Sequence, residues 1–196
     1  MAALGPRLLF NTHLHVPPNF SAFTTVEDCV RTAEAEGVKV IGTSNFHSFG
    51  VYDRFDAAAR EHGLKALFGL EFISVLDEAM RADMTVNDPA NPGRAYICGK
   101  GIPNPSAPGA EAVTFMAEAK VANEARHARM VDLTRELFAQ AGLEVDVTYD
   151  SIVELVCERA DVPAEWVILQ ERHVALGFQE ALFASLPANQ RGTFLE

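Results

Sequence analysis

Two rhythms of apolar residues take turns over the first 75 positions. Residues 7–11 (RLLFN) form a short apolar run that reads as a strand. Thr24-Thr25-Val26-Glu27 has the form of a capping box, with Thr24 as N-cap and Glu27 reaching back. Val26, Cys29, Val30 and Ala33 then recur at helical spacing, and Gly37 closes that helix. Residues 38–42 (VKVIG) read as a second strand, 43–50 as a loop, and 51–62 as a second helix closed by Gly63. Residues 65–75 (KALFGLEFISV) contain a third strand. Strand, helix, strand, helix, strand with short connections predicts right-handed βαβ units and a parallel sheet. An open doubly wound sheet and part of a β/α barrel both fit, and both gather function at the C-terminal strand ends.

The rhythm changes after Leu76. Residues 76–84 read as a short helix, and 86–109 are rich in Pro, Gly and Asn with one short strand at 95–98. Residues 110–141 lack Gly and Pro, and Met130, Leu133, Leu137 and Ala141 trace an apolar stripe. Asp150 or Ser151 can cap a helix carrying Ile152, Leu155 and Val156. Pro163 suits the first turn of another, carrying Trp166, Val174, Phe178 and Leu182. The expected organisation is an N-terminal βαβαβ part over residues 1–75 and a mostly helical insertion or appended subdomain over 76–196. Three βα units leave an exposed sheet edge. Either helices cover it, or the chain is the N-terminal part of a longer barrel whose remaining strands lie beyond Glu196, or the edge serves self-association.

Composition narrows the function. The chain has 196 residues, 48% hydrophobic and 22% charged, in the range of a globular protein. A formal net charge of -11 disfavours general coating of nucleic acid. Cys29, Cys98 and Cys157 lie far apart without a C-x-x-C pair, which argues against a disulfide scaffold or a cysteine zinc knot. Cys29 and Cys157 fall in helical apolar patterns that suit inert buried thiols. With no signal-peptide pattern and no apolar run of membrane-span length, the expected setting is cytoplasmic and reducing.

The candidate chemistry lies in NTHLH. On an extended segment His13 and His15 share one face, where two neutral imidazoles can grip one metal ion. The plainer alternative is one His bonded to a backbone carbonyl and the other solvated. Asn45 and His47 follow strand two, and Glu71 lies near the C-terminal part of strand three. All of these polar groups fall at the same sheet edge. A carboxylate between two imidazoles suits a divalent transition metal, which polarises a phosphoryl oxygen and activates water.

These residues resemble the PHP (polymerase and histidinol phosphatase) superfamily of metal-dependent phosphoesterases. The matching segments are NTHLH, GVKVIGTSNFHSFG and FGLEF, over roughly residues 10–72. The resemblance implies an α/β fold, the N-terminal part of a distorted β/α barrel, with two or three Mn, Fe or Zn ions in a complete site. It implies hydrolysis of a small phosphorylated substrate or a nucleotide end. His13 and His15 match ligands of one metal, and Glu71 matches a carboxylate that bridges metals. The second motif departs from the family's Thr-Asp-His: here it is Thr43-Ser44-Asn45-Phe46-His47, so the Asp is absent and His47 is displaced. Val16 stands where Ser or Thr is common, and the later His and Asp-x-His ligands have no match.

On this reading His13, His15, Glu71 and His47 hold metal, and Glu71 and His47 take part in catalysis. Asn45, Arg94 and Lys100 are the candidates for touching substrate. The plainer reading of Gly99-Lys100-Gly101 is a tight turn with a solvated Lys. His62 reads as a helix C-terminal residue, His127 and His173 as surface or packing residues, Asp53 and Asp56 as an exposed helical face. One competing function is a degenerate, non-catalytic PHP domain with an assembly or regulatory role. Another is an amidohydrolase-like enzyme, which would want a metal-bridging Lys on a fourth strand. No Lys reads as lying in such a strand.

Overall fold

The computed structural model describes residues 8–187. Four strands form one curled sheet, a half-barrel, followed by a helical segment. The chain runs β1 (Phe10–Leu14), α1 (Val26–Ala35), β2 (Val40–Thr43), α2 (Tyr52–Glu61) and β3 (Lys65–Val75). It continues with the short α3 (Asp77–Arg81), β4 (Arg94–Lys100), α4 (Ala110–Gln140), α5 (Tyr149–Ala160) and α6 (Glu171–Ser185). The sheet order is β1-β2-β3-β4. β1, β2 and β3 are parallel, as the βα alternation predicts, and β4 returns antiparallel to β3 over seven residue pairs.

α1 and α2 cover the outer face of the parallel strands. Val26, Cys29 and Val30 of α1 and Tyr52, Phe55 and Ala59 of α2 pack on Ile41 of β2 and Ala66 of β3. A second apolar cluster joins the C-terminal half of α4 to α5 and α6 through Val131, Ile152, Val156, Val174 and Phe178. Trp166 packs against both clusters. A polar strap reinforces the junction. Arg54 of α2 forks onto both Glu27 oxygens at 2.7 and 2.9 Å, and its other arm donates to Asp161 O at 2.9 Å beyond α5. No described helix is long and apolar enough to cross a membrane.

Several boundaries differ from the sequence reading. β1 runs through Leu14, because Ser44 N–H donates to Leu14 O and keeps the ladder going to the threshold of Pro17. The N-cap of α1 is Thr25, with Asp28 reaching back, since Arg54 has captured Glu27. Thr148 caps α5 reciprocally with Ser151. The helix expected from Pro163 onward is broken: a 3₁₀ turn over Ala164–Trp166 is followed by extended chain before α6. Val167, Ile168 and Leu169 are all buried, which extended chain permits and one helix face does not. β4 is longer than the strand expected at 95–98 and includes Lys100.

Candidate metal centre

β1 carries one residue too many for its partner. Asn11 pairs with Ile41 and Leu14 with Thr43, so Thr12 and His13 together face Gly42. Such a bulge re-aims the side chain it carries. It presses on β2 hard enough to require glycine: a Cβ on Gly42 would lie 2.9 Å from Thr12 Cα and from Thr12 O. Lys100 secures the bulge. Its ammonium donates to Thr12 O at 3.0 Å and to Ser44 Oγ at 2.9 Å. The expected solvated turn lysine is therefore a strand residue clamping β1 to the end of β2.

With the bulge in place, His13 and His15 converge on Glu71. His13 Nε2 lies 2.8 Å and His15 Nε2 3.4 Å from Glu71 Oε2. Glu71 is 6% exposed, held where β3 passes the loop after β2: its N–H donates to Asn45 O at 3.0 Å. Oε2 nevertheless has no hydrogen-bond partner, and neither has His15 Nδ1. The two ring nitrogens nonetheless approach the carboxylate at ion-pair distance. Burial pushes the Glu71 carboxyl up, but His15 and His13 outweigh it and hold the group below the ordinary carboxylate value.

These three residues fit a divalent ion. Their ligand atoms all lie within 4.8 Å of one another. Metal bonds of ~2.0–2.2 Å to His N and carboxylate O place donors of one shell about 3–3.5 Å apart. An orphaned buried carboxylate oxygen between two imidazoles gains its missing partner from a cation.

The remaining candidates stand around this cluster rather than in it. His47 adopts a left-handed backbone (φ 54°), and its ring stacks on Phe72 at 5.0 Å. Burial, with a smaller contribution from Arg126, holds its pKa below the usual value, and its Nδ1 is buried without a partner. Asn45 spends its amide on Val16, accepting from Val16 N and donating to Val16 O, both at 2.9 Å. Arg94 lies toward the other end of β4 and pairs with Asp88 at 3.5 Å. Phe46 stacks on His15 with ring centroids 5.0 Å apart. His62 pairs with Glu34, while His127 and His173 are buried in the helical segment.

One neighbour escaped the sequence reading. Cys98 pairs directly with Glu71 across β3 and β4, and its Sγ lies 4.0 Å from His13 Nδ1. The alternation of Ala95 and Ile97 with Tyr96, Cys98 and Lys100 is the signal that places the latter three on one face. Beside the cluster a cavity of about 290 Å³ opens between the strand ends and the helical segment. His15, Phe20, Phe46, His47, Tyr96, Arg126 and Arg172 line it.

No family model and no curated protein matches the chain. Among the solved structures similar to it are two at low sequence identity. A Bifidobacterium adolescentis protein described as a "putative metal-dependent phosphoesterase" superposes with a TM-score of 0.62 at 19% identity, over 91% of this chain and 51% of that one. An amidohydrolase from Chromobacterium violaceum, with bound sulfate and no metal, superposes with a TM-score of 0.54 at 17% identity, over 95% of this chain and 53% of that one. The chain thus spans about half the length of each. At these identities the likeness is one of fold alone, an α/β barrel-like architecture of which the described residues form a half-barrel.

Proposed function

We propose that this chain carries the metal-holding part of a PHP-type phosphoesterase that hydrolyses a small phosphate ester or a nucleotide end. What carries the reading is the convergence of two imidazole Nε2 atoms on one buried, unpartnered carboxylate oxygen at the strand ends. His13, His15 and Glu71 would hold the first ion. A bound Mn, Fe or Zn ion supplies Lewis acidity toward a phosphoryl oxygen and activates water. The chain's own residues do the rest. Glu71 offers a second oxygen toward a further ion. His47, kept neutral at the cavity wall, is available as a ligand or proton acceptor once a substrate or ion reaches it. Arg126, paired with Glu171 at 2.8 Å, and Arg172, over the Phe20 ring, bring positive charge to the cavity wall for a phosphate, and Tyr96 offers a ring face to an aromatic base. Arg94 and Lys100 are tied to protein partners, and Asn45 is closed on Val16, so their part is to hold the frame.

A specific observation favours a second reading, a metal-holding domain without catalysis. Phe46 covers one face of His15, and Asn45 is turned away onto Val16, so neither of these two adds a ligand to the cluster.

Elemental analysis of the purified chain, with phosphatase assays on p-nitrophenyl phosphate and a nucleoside monophosphate, separates the readings. Bound metal and hydrolysis, both lost in His13→Ala/His15→Ala, are expected for the enzyme. Metal without hydrolysis selects the second reading. No metal in the unaltered chain overturns both.

A further inference from the structure

We infer that Cys98 is a fourth ligand of this metal centre, completing a set of two nitrogens, one oxygen and one sulfur that takes a thiophilic ion, zinc above all. The inference rests on the proposed metal-holding role of His13, His15 and Glu71 and goes beyond it in naming a ligand and an ion class.

Three observations converge. The antiparallel register sets Cys98 directly opposite Glu71. Side chains at such paired positions share a sheet face, with Cβ atoms about 4.5–5.5 Å apart. The thiol also sits against the other ligand strand, with Sγ 4.0 Å from His13 Nδ1, on the ring whose Nε2 meets Glu71. Independently, Glu71 Oε2 is buried, aimed into the same space and unpartnered. Cys98 is the exposed cysteine of the chain; Cys29 is packed in the core under α1 and Cys157 is half-buried on α5. As it stands the sulfur lies just outside the group of mutually close ligand atoms, and entry into the shell calls for a rotation about its Cα–Cβ bond. Of the other nearby candidates, Asn45 is closed on Val16, and His47 stands outside the group of mutually close ligand atoms.

On binding, the thiol releases its proton to solvent and the thiolate enters the shell. Thiolate in place of oxygen or water selects zinc and cobalt over manganese and magnesium. Cobalt reports this directly, because a cobalt–thiolate bond adds a near-ultraviolet charge-transfer band to the visible d–d bands.

The test is titration of the full chain with Co(II) under reducing conditions, beside Cys98→Ala. Both bands in the parent chain, with only the charge-transfer band lost in Cys98→Ala and zinc affinity down at least about tenfold, are the expected result. Visible bands without the charge-transfer band overturn the role of Cys98 and leave the three-residue centre standing. A charge-transfer band that survives Cys98→Ala also overturns it, since the sulfur then comes from elsewhere. Failure to bind cobalt at all removes the metal-centre reading, and this inference with it.

Discussion

At the scale of the residue, the site depends on a crowded backbone and an unsatisfied oxygen. Gly42 lets the β1 bulge lie against β2, and a methyl group there would meet Thr12 Cα and O at 2.9 Å. Gly42→Ala is expected to destabilise the fold by about 1–3 kcal/mol, the usual range for overpacking. It should also weaken metal binding, because the displaced segment carries His13. Urea unfolding and zinc titration check the two effects; an alanine variant with parent stability and affinity would mean that the bulge does not set the site. Glu71 presents the opposite case, a buried carboxylate whose charge two imidazoles already favour and a cation would favour further. At pH 8 in chelator, Glu71→Gln should melt slightly lower than the parent, since it removes a charge that His15 and His13 favour in the folded chain. In zinc the parent should gain ~2.7 kcal/mol at a hundredfold excess over its Kd, and the variant almost none. A large loss of stability in chelator would show that Glu71 holds the fold together in its own right. The pair His13 and His15 with Glu71 was legible because period-two geometry converts spacing directly into a shared face. The bulge was not legible, because nothing in Asn11-Thr12-His13 distinguishes it from regular strand. Cys98 was missed, and Lys100 was read as a turn residue or a substrate contact, for another reason. Their position depends on which strand β4 pairs with and in which direction, and neither is a local property.

At the scale of the element, helices and parallel strands could be read from periodicity, but their ends were set by tertiary partners. Two overlapping capping boxes were available at the start of α1, and Arg54 on α2 decided between them by taking Glu27. The break before α6 follows from the burial of Val167, Ile168 and Leu169 together. That break also sets up an acid-sensitive helix start. His173 Nδ1 accepts the Gln170 N–H at 3.0 Å in the first turn of α6. Burial, with a smaller contribution from His127, pushes the His173 pKa down from 6.5 to about 4. The folded chain therefore refuses a proton that the unfolded chain takes up between these values. The contribution of neutral His173 is complete above about pH 6.5 and is lost as pH falls toward 4. Full loss amounts to roughly 3 kcal/mol by linkage. Trp166, the single tryptophan, packs beside this region and reports its opening by fluorescence. His173→Gln keeps an acceptor at the same helix position without the titration. The variant should retain a shallower acid limb between pH 6.5 and 4, the remainder coming from His127 and His47, whose pKa values are also lowered. An unchanged limb would assign the acid sensitivity to other groups.

At the scale of the whole molecule, the curl of the sheet leaves its first strand at an edge. The βαβαβ alternation made the three parallel strands legible, and left open whether the sheet stays flat or curls. It carried no information on how α4, α5 and α6 pack back through Trp166 and Arg54, because those contacts join residues more than a hundred positions apart. The edge itself follows from the strand order: β1 pairs with β2 on one side, and no described strand lies on the other. Leu8, Leu9 and Phe10 there are 57, 53 and 67% exposed. An apolar strand edge of this kind templates pairing with another chain or another segment. The net charge of -11 opposes association of two copies, and salt screens that repulsion. The chain is therefore expected to self-associate in light-scattering measurements as concentration and salt rise together. Phe10→Lys places a charge on the exposed edge strand, while Phe10 contributes nothing to either apolar cluster. It should return the population to monomer with the melting temperature nearly unchanged. Association that persists in Phe10→Lys would move the contact to α4, where Val113, Phe115 and Val121 are also exposed. A monomer at every concentration and salt would mean that charge repulsion outweighs the open edge.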